Sequence, residues 1–280
     1  MLRTSPARQL DWRDLDEALA LLERDPVADV FVASRIEAAG LSEQALRAQV
    51  WGYGDRGRLE SLCYAGANLV PVQAGPEAVR AFAERARRQG RRCSSVVGLS
   101  SSVLPMWQLL APHWGAARDL RVDQPLLAID APPRVAADPA VRKVRPDELD
   151  LLLPACIAMF TEEIGVSPTV GGGAALYRAR VAELIATGRA YARIEGGRVL
   201  FKAEVGAASH SVCQVQGVWV EPAARGQGLS VAGTAAVVQL ARAEIAPIVS
   251  LYVNDYNVPA RRAYADVGFA EVGRFTSVLF

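Results

Sequence analysis

Six consecutive residues carry the densest chemistry in this 280-residue chain: Arg225, Gly226, Gln227, Gly228, Leu229 and Ser230. They follow the apolar run Cys213 to Val220 and Pro222, a pattern that predicts a strand, a turn and the start of a helix. Glycines at 226 and 228 permit positive φ and let bare backbone N–H groups converge, while the helix start adds unpaired N–H groups and a positive dipole end. Such a turn suits a diphosphate. An ordinary strand-turn-helix connection would use the same residues, and the stretch taken alone leaves both open. A second group lies further on: Asn257, Pro259, Tyr264, Gly268 and Phe269. Asn257 is a good N-cap, Pro259 fits a first helical turn, Gly268 can take the left-handed C-terminal position, and Phe269 anchors the exit. Tyr264 sits about two turns from Asn257, so both are expected to project from one face toward the same groove.

The first stretch resembles the R/Q-x-x-G-x-G/A acetyl-CoA signature of the GNAT N-acyltransferase superfamily, with Ser230 where relatives usually carry Gly or Ala. Asn257 to Phe269 is similar to that superfamily's N-x-x-A-x-x-x-Y-x-x-x-G-F pattern. The resemblance runs from Val141 to Phe280. It implies an acyl-CoA co-substrate, taken as acetyl-CoA, contacted by Arg225, Gly226, Gln227, Gly228, Leu229, Ser230, Asn257 and Tyr264. It also implies that the pantetheine arm lies between two splayed strands, here Cys213 to Val220 and Ile248 to Val253, bonded to the backbone of Val218 and Val220. Gly217 is then a bulge that opens the splay, or merely a weak point in the strand, and an N–H near Val218 polarises the thioester carbonyl. The implied reaction is direct transfer: an amine attacks the thioester in a ternary complex, and Tyr264 protonates the leaving thiolate. A structural tyrosine or a simple coenzyme contact is the other role for Tyr264.

The resemblance does not supply the general base. Glu162 and Glu163 end the first helix of this half, and Glu163 is the leading candidate. Glu204, His210, the carboxylate of Phe280 and a water relay are the others, although each carboxylate could equally be a solvated surface charge. Ile164 to Gly173, rich in glycine, is either a lid over the acceptor site or a plain linker. Its three glycines are not a phosphate loop, since no strand precedes them and no Lys-Ser/Thr pair follows.

These groups must be held by a fold of the mixed α/β class. Asp130 to Ala140, with three prolines, predicts a linker. Before it, helices are expected at Trp12 to Glu23 and Val27 to Ala39, strands at Gln49 to Tyr53, Leu59 to Ala65 and Leu69 to Gln73, and a helix at Pro76 to Gln89. A strand at Ser94 to Leu99, a helix at Val103 to Leu110 and an extended Leu120 to Ile129 follow. After the linker the same order recurs through Phe280. The expectation is therefore tandem GNAT-like units, each with a mostly antiparallel twisted sheet flanked by helices. The first, 1–130, is degenerate; 131–140 is the linker; 141–280 is the catalytic domain. In the first unit Gly75-Pro76 stands where the glycine-rich turn would be, so phosphate binding is not expected there.

Composition bounds the rest. With 51% hydrophobic and 22% charged residues the chain is globular in type. Residues 1–130 hold 16 Arg against 16 acidic residues, the remainder 15 basic against 14 acidic, so neither half has the basic surplus that phosphate backbones demand. Nucleic acid is not an expected partner, the run of five arginines from Arg85 to Arg92 suiting a solvated helix face. The four cysteines are scattered and, with two histidines, form no ligand spacing, so no metal is expected. Met1 to Leu10 lacks a leader-like apolar run and nothing is long enough to span a membrane, which together suggest a cytoplasmic protein. Two lysines among 31 basic residues suggest a GC-rich bacterial genome. Oligomerisation stays open. The competing function is a non-catalytic acyl-CoA sensor or interaction protein.

Overall fold

The computed structural model describes residues 7–280; the Met1 to Leu10 stretch discussed above lies largely outside them. Two compact units emerge. One comprises residues up to Leu126 together with Tyr252–Tyr256 and Glu271–Phe280, the other Leu127–Leu251 and Asn257–Ala270. Packing thus divides the chain at 126/127, ahead of the proline-rich 131–140 stretch, and assigns the final strand to the first unit.

In chain order the first repeat is β1 (Arg8–Gln9), α1 (Leu15–Leu22), α2 (Pro26–Ala39), α3 (Glu43–Leu46), β2 (Gln49–Tyr53), β3 (Ser61–Ala65), β4 (Asn68–Val72), α4 (Pro76–Gln89), β5 (Ser95–Leu99), α5 (Ser100–Trp114) and β6 (Asp119–Ile129). The second is β7 (Val141–Lys143), α6 (Leu149–Ile164), α7 (Ala174–Ala186), β8 (Ala190–Glu195), β9 (Arg198–Ala208), β10 (Val212–Val220), α8 (Leu229–Glu244), β11 (Ile248–Tyr252), α9 (Val258–Val267) and β12 (Ala270–Leu279). Apart from the short α3, the two element orders are identical. Pairing repeats as well: β1-β2-β3-β4 and β7-β8-β9-β10 are antiparallel throughout, and each run ends in one parallel pair, β4 with β5 and β10 with β11. The mixed α/β architecture with helices flanking a central sheet is as expected. In the first unit β5 pairs antiparallel not with β6 but with β12, Phe275 opposite Leu99 and Leu279 opposite Ser95.

Strand alternation buries both faces. Trp51, Cys63 and Leu69 pack with Phe82 of α4 and Met106 and Leu110 of α5, while Val50, Leu62, Tyr64 and Val70 pack with Leu21 of α1 and Ile36 of α2. In the second unit Ala190, Ala192 and Val199 meet Leu152 and Cys156 of α6 and Val181 and Ile185 of α7. Among the described residues no helix is long and apolar enough to cross a membrane.

Helix α8, which carries the glycine-rich turn, lies close on β9 because Gly233 offers no side chain. A Cβ at Gly233 would stand 2.8 Å from the ring of Phe201, which is fully buried and has nowhere to swing. Gly233→Ala is expected to lower stability by about 1–2 kcal/mol: overpacking costs about 1–3 kcal/mol and the gain in helix propensity returns at most about 1 kcal/mol. Urea denaturation checks this as a lower midpoint at unchanged slope.

Candidate active site

β10 ends at Val220, a short helical turn follows at Pro222–Ala224, and Arg225 returns to extended backbone at φ −67° and ψ 156°. Gly226 then takes φ +78° and Gly228 φ +79°, with open space where either Cβ would be. Backbone conformation rather than crowding is therefore what calls for glycine here. Gly228 is the N-cap of α8, and its carbonyl accepts from the amides of both Val231 and Ala232 at 3.1 Å. The amides of Leu229 and Ser230 precede the first intrahelical donor, so they face outward at the positive end of a 16-residue helix. These donors lie in an exposed stretch of the unit, with a geometry that suits an anion.

Arg225 does not extend freely beside these donors. Its Nε donates to the Val220 carbonyl at 3.1 Å and its Nη2 to Glu162 Oε2 at 2.7 Å, while the other Glu162 oxygen accepts from Trp219 Nε1 at 3.1 Å. Glu162, considered above as a base, is thus a brace tying the end of α6 to β10 and the turn.

The strand pair opens beside the turn. β10 and β11 are in parallel register only through Val212–Ile248, Cys213–Val249 and Gln214–Ser250, whereas β10 continues along β9 as far as Val220 opposite Phe201. Between the pairs Gln216–Glu204 and Trp219–Lys202, β10 fits Gly217 and Val218 where β9 has only Ala203. This is a bulge. Gly217 sits at φ +60°, and a Cβ there would lie 2.9 Å from Met159 Cε and 3.1 Å from Lys202 Nζ. Of the two meanings open to Gly217, bulge and weak point, the structure has the bulge. The backbone of Val218 and Val220 follows it on the half-buried stretch beyond the last β11 pair.

In α9, Asn257 caps its own helix: Oδ1 accepts from the Ala260 amide at 3.3 Å. Gly268 ends the helix at φ +115°, with the Phe269 amide donating to the Tyr264 carbonyl at 3.0 Å. Asn257 and Tyr264, expected to face one groove, have unlike surroundings. Asn257 is exposed with its carboxamide oxygen turned onto the cap, whereas Tyr264 is buried, edge-on to Phe269 with ring centroids 5.9 Å apart. Burial, and after it the nearby charge of Glu163, push the Tyr264 phenol well above its ordinary pKa. Both effects favour the neutral phenol, and Glu163 of α6 lies close enough for its charge to contribute. Ser230, at the second position of α8, and Leu229 are half-buried.

The sequence reasoning missed Lys202. Its ammonium is 1% exposed and donates to Glu204 Oε2 at 3.1 Å, with Cys156 Sγ at 3.6 Å. Gln216 Nε2 donates to the second Glu204 oxygen at 2.8 Å. Burial opposes the lysine charge, but Glu204 and Cys156 outweigh it and raise the pKa. Burial likewise opposes the carboxylate, yet Lys202, Gln216 and Arg180 hold Glu204 below the usual range. Both groups are ionised. The signal was present: an opposite-charge pair two residues apart in a strand that is apolar elsewhere beyond Arg198, with one of only two lysines in an arginine-rich chain. Among the described residues no group of three or more His, Cys, Asp or Glu side chains is placed to hold a metal.

Residues 172–269 match the family model described as Acetyltransferase (GNAT) family, and residues 48–152 match a domain of unknown function, DUF4081. A GNAT-family acetyltransferase from Colwellia psychrerythraea is 14% identical with a TM-score of 0.55, covering 99% of this chain and 100% of its own. A GCN5-related N-acetyltransferase from Sphaerobacter thermophilus is 16% identical with a TM-score of 0.55, covering 99% and 95%. A tandem GNAT protein from the clavulanic acid biosynthesis pathway is 14% identical with a TM-score of 0.52, covering 98% of both chains. At these identities the likeness is one of fold. No curated protein matches the chain.

The Lys202–Glu204 pair predicts a pH-dependent stability. A carboxylate with a lowered folded pKa contributes above its unfolded pKa and loses that contribution as pH falls through the folded value; a lysine with a raised one contributes below its unfolded pKa and loses it as pH rises through the folded value. The pair is thus at full strength through the neutral range. Lys202→Met should cost about 3–5 kcal/mol at neutral pH by stranding a buried carboxylate. The loss should shrink in acid, where Glu204 takes up a proton, and Lys202→Met/Glu204→Gln should recover most of it. Chemical denaturation at several pH values reads each outcome.

Proposed function

We propose that this chain, which carries a GNAT domain in its C-terminal half within a tandem GNAT fold, transfers an acyl group, acetyl in the first instance, from acyl-CoA to an amine. The observation that carries the proposal is the left-handed pair Gly226 and Gly228 opening α8 next to strands that part at the Gly217 bulge. The amides from Gly226 to Ser230 bind the diphosphate of the coenzyme, with Gln227 and Leu229 contributing backbone, and Arg225, fixed by Glu162, adds positive charge at the rim. The pantetheine lies along the free edge of Val218 and Val220, and Asn257 and Tyr264 border it from α9.

In the reaction a neutral amine attacks the thioester carbonyl, and the amide beside the bulge holds the oxygen as it gains charge. The carbon–sulfur bond breaks, and the Tyr264 hydroxyl donates to the departing sulfur. Glu163 takes the proton that the amine releases. The environment of Tyr264 suits this division: a buried phenol facing a carboxylate resists ionisation, so it donates without becoming a lasting phenolate. No metal takes part in this scheme.

Acyl-CoA and an amine acceptor are the proposed partners, in a cytoplasmic and bacterial setting. The division into 1–130, 131–140 and 141–280 is proposed as one of descent, the closing strand of the second repeat having been exchanged into the sheet of the first. In that first repeat the helix after β4 starts at Gly75 with φ −70° and ψ 174° and Pro76 behind it. No left-handed glycine pair cradles an anion there, so the coenzyme belongs to the second repeat.

Calorimetry with CoA and acetyl-CoA is expected to give saturable heat with the intact chain and none with Gly226→Val/Gly228→Val. Heat unchanged in that variant overturns the site. Tyr264→Phe should lower turnover about 100-fold or more while acetyl-CoA affinity changes little. With a panel of amines, thiol release that depends on the acceptor supports the transferase, and tight coenzyme binding without release supports the sensor instead.

A further inference from the structure

A separate cavity lies wholly within the N-terminal unit. It measures about 360 Å³ and is bounded by the start of β2, the Gly66–Ala67 link between β3 and β4, and the C-terminal ends of α4 and α5. This is the opposite end of β4 from Gly75-Pro76, so the cavity is not a remnant of a coenzyme cleft in the first repeat. Its volume falls at the small end of the range for organic-ligand sites, about 300–1,000 Å³.

Its polar groups sort into two sets. The first is spent internally: Gln49 Oε1 accepts from Trp51 Nε1 at 2.9 Å and from Gln89 Nε2 at 3.1 Å, while Gln49 Nε2 donates to Glu43 Oε1 at 3.1 Å. The other Glu43 oxygen accepts from Gln9 Nε2 at 2.9 Å. Each of these side chains is fixed, and the one carboxylate has its acceptors occupied. The second set is unspent and consists only of donors. Arg47 and Arg92 both line the cavity as exposed residues and make no hydrogen bond or ion pair among the described residues, although the Arg92 charge is near enough to help lower the Glu43 pKa. Trp114, a third lining residue, has a buried indole N–H without an acceptor, a condition native proteins seldom leave unanswered.

The backbone adds to this. Arg47 closes α3 at φ +51° and ψ 33°, a left-handed position that favours glycine. Glycine there would relieve the backbone but remove the guanidinium. The walls between the donors are apolar and flat: Trp51 is 1% exposed, Trp114 is half-buried, and Cys93 is a buried thiol. Burial raises the Cys93 pKa, so it adds neutral surface and no competing anion. Two arginines against one glutamate leave the lining with a net charge of +1.

We propose that this cavity binds a small organic monocarboxylate with a flat apolar body, its carboxylate held by Arg47 and Arg92 and its ring stacked among Trp51 and Trp114. A single negative charge matches the net lining charge, and acceptor oxygens answer donors that have no hydrogen-bond acceptor among the described residues. A neutral molecule would leave both guanidinium groups unpaired, and a dianion would meet the Glu43 carboxylate as well.

Titration of the full chain with 1-naphthoate, followed by calorimetry and tryptophan fluorescence, tests this. Saturable binding is expected, weakening as salt is raised, with 1-naphthamide at least about tenfold weaker because it lacks the charge. Arg47→Gly should keep or raise the thermal midpoint, since it suits the left-handed backbone, and still weaken naphthoate severalfold. Arg92→Ala should weaken it likewise, and Trp114→Phe should do so while keeping an aromatic wall. Equal affinity for acid and amide overturns the proposal. So does naphthoate affinity that is unchanged in Arg47→Gly/Arg92→Ala, a variant whose circular dichroism melt certifies its fold.

Discussion

A lysine ammonium cannot remain charged in a protein interior without a partner, and in the C-terminal unit that requirement organises the site. Lys202 points into the space beside α6 and fixes Glu204 on its own strand. The second oxygen of Glu204 then takes the Gln216 carboxamide, which lies over Gly206, where a Cβ would overlap it. With Gln216 held, the register of β10 on β9 is set, and the surplus residue of β10 must appear immediately after it. Gly217 is that place, and its positive φ is the only way to absorb the extra length without driving a side chain into Met159 and Lys202. An electrostatic need in the interior is thereby converted into the position of a bulge in β10.

The same unit joins its parts through side chains that looked available for chemistry. Glu162 is a brace between α6, β10 and the glycine turn, so the turn and the end of α6 are positioned relative to each other. Its neighbour Glu163 instead places a charge that is felt at Tyr264. Adjacent residues on a helix point about 100° apart, which is why one glutamate holds structure and the next remains near the phenol.

Much of the fold was legible in sequence. Helix ends were marked by Pro26, Pro76 and Asn257, strands by alternating or continuous apolar runs, and the recurrence of one element order revealed the repeat. The features that escaped were short or non-local. β1 spans only Arg8–Gln9, too few residues for any period, and α5 runs through Pro112 to Trp114, beyond its expected end, because tertiary packing outweighs one missing hydrogen bond. At the site, the glycines declared their backbone roles because φ is a local property. Partners were less legible: that Glu162 would pair with Arg225 and that Lys202 would be buried against Cys156 both depend on chain many residues away. The exchange of β12 into the first unit was not legible at all, since either edge partner suits the same apolar strand.

That exchange bears on how the protein is made. β5 has its antiparallel neighbour only when Phe275 to Leu279 arrives, some 175 residues after β5 itself is synthesised. On the ribosome the N-terminal unit must wait through synthesis of the second repeat with a hydrogen-bonding edge exposed, a condition that invites pairing with neighbouring nascent chains. Its native sheet gains its β5 neighbour only from the closing strand of the second repeat, so biogenesis of the first unit is tied to synthesis of the second.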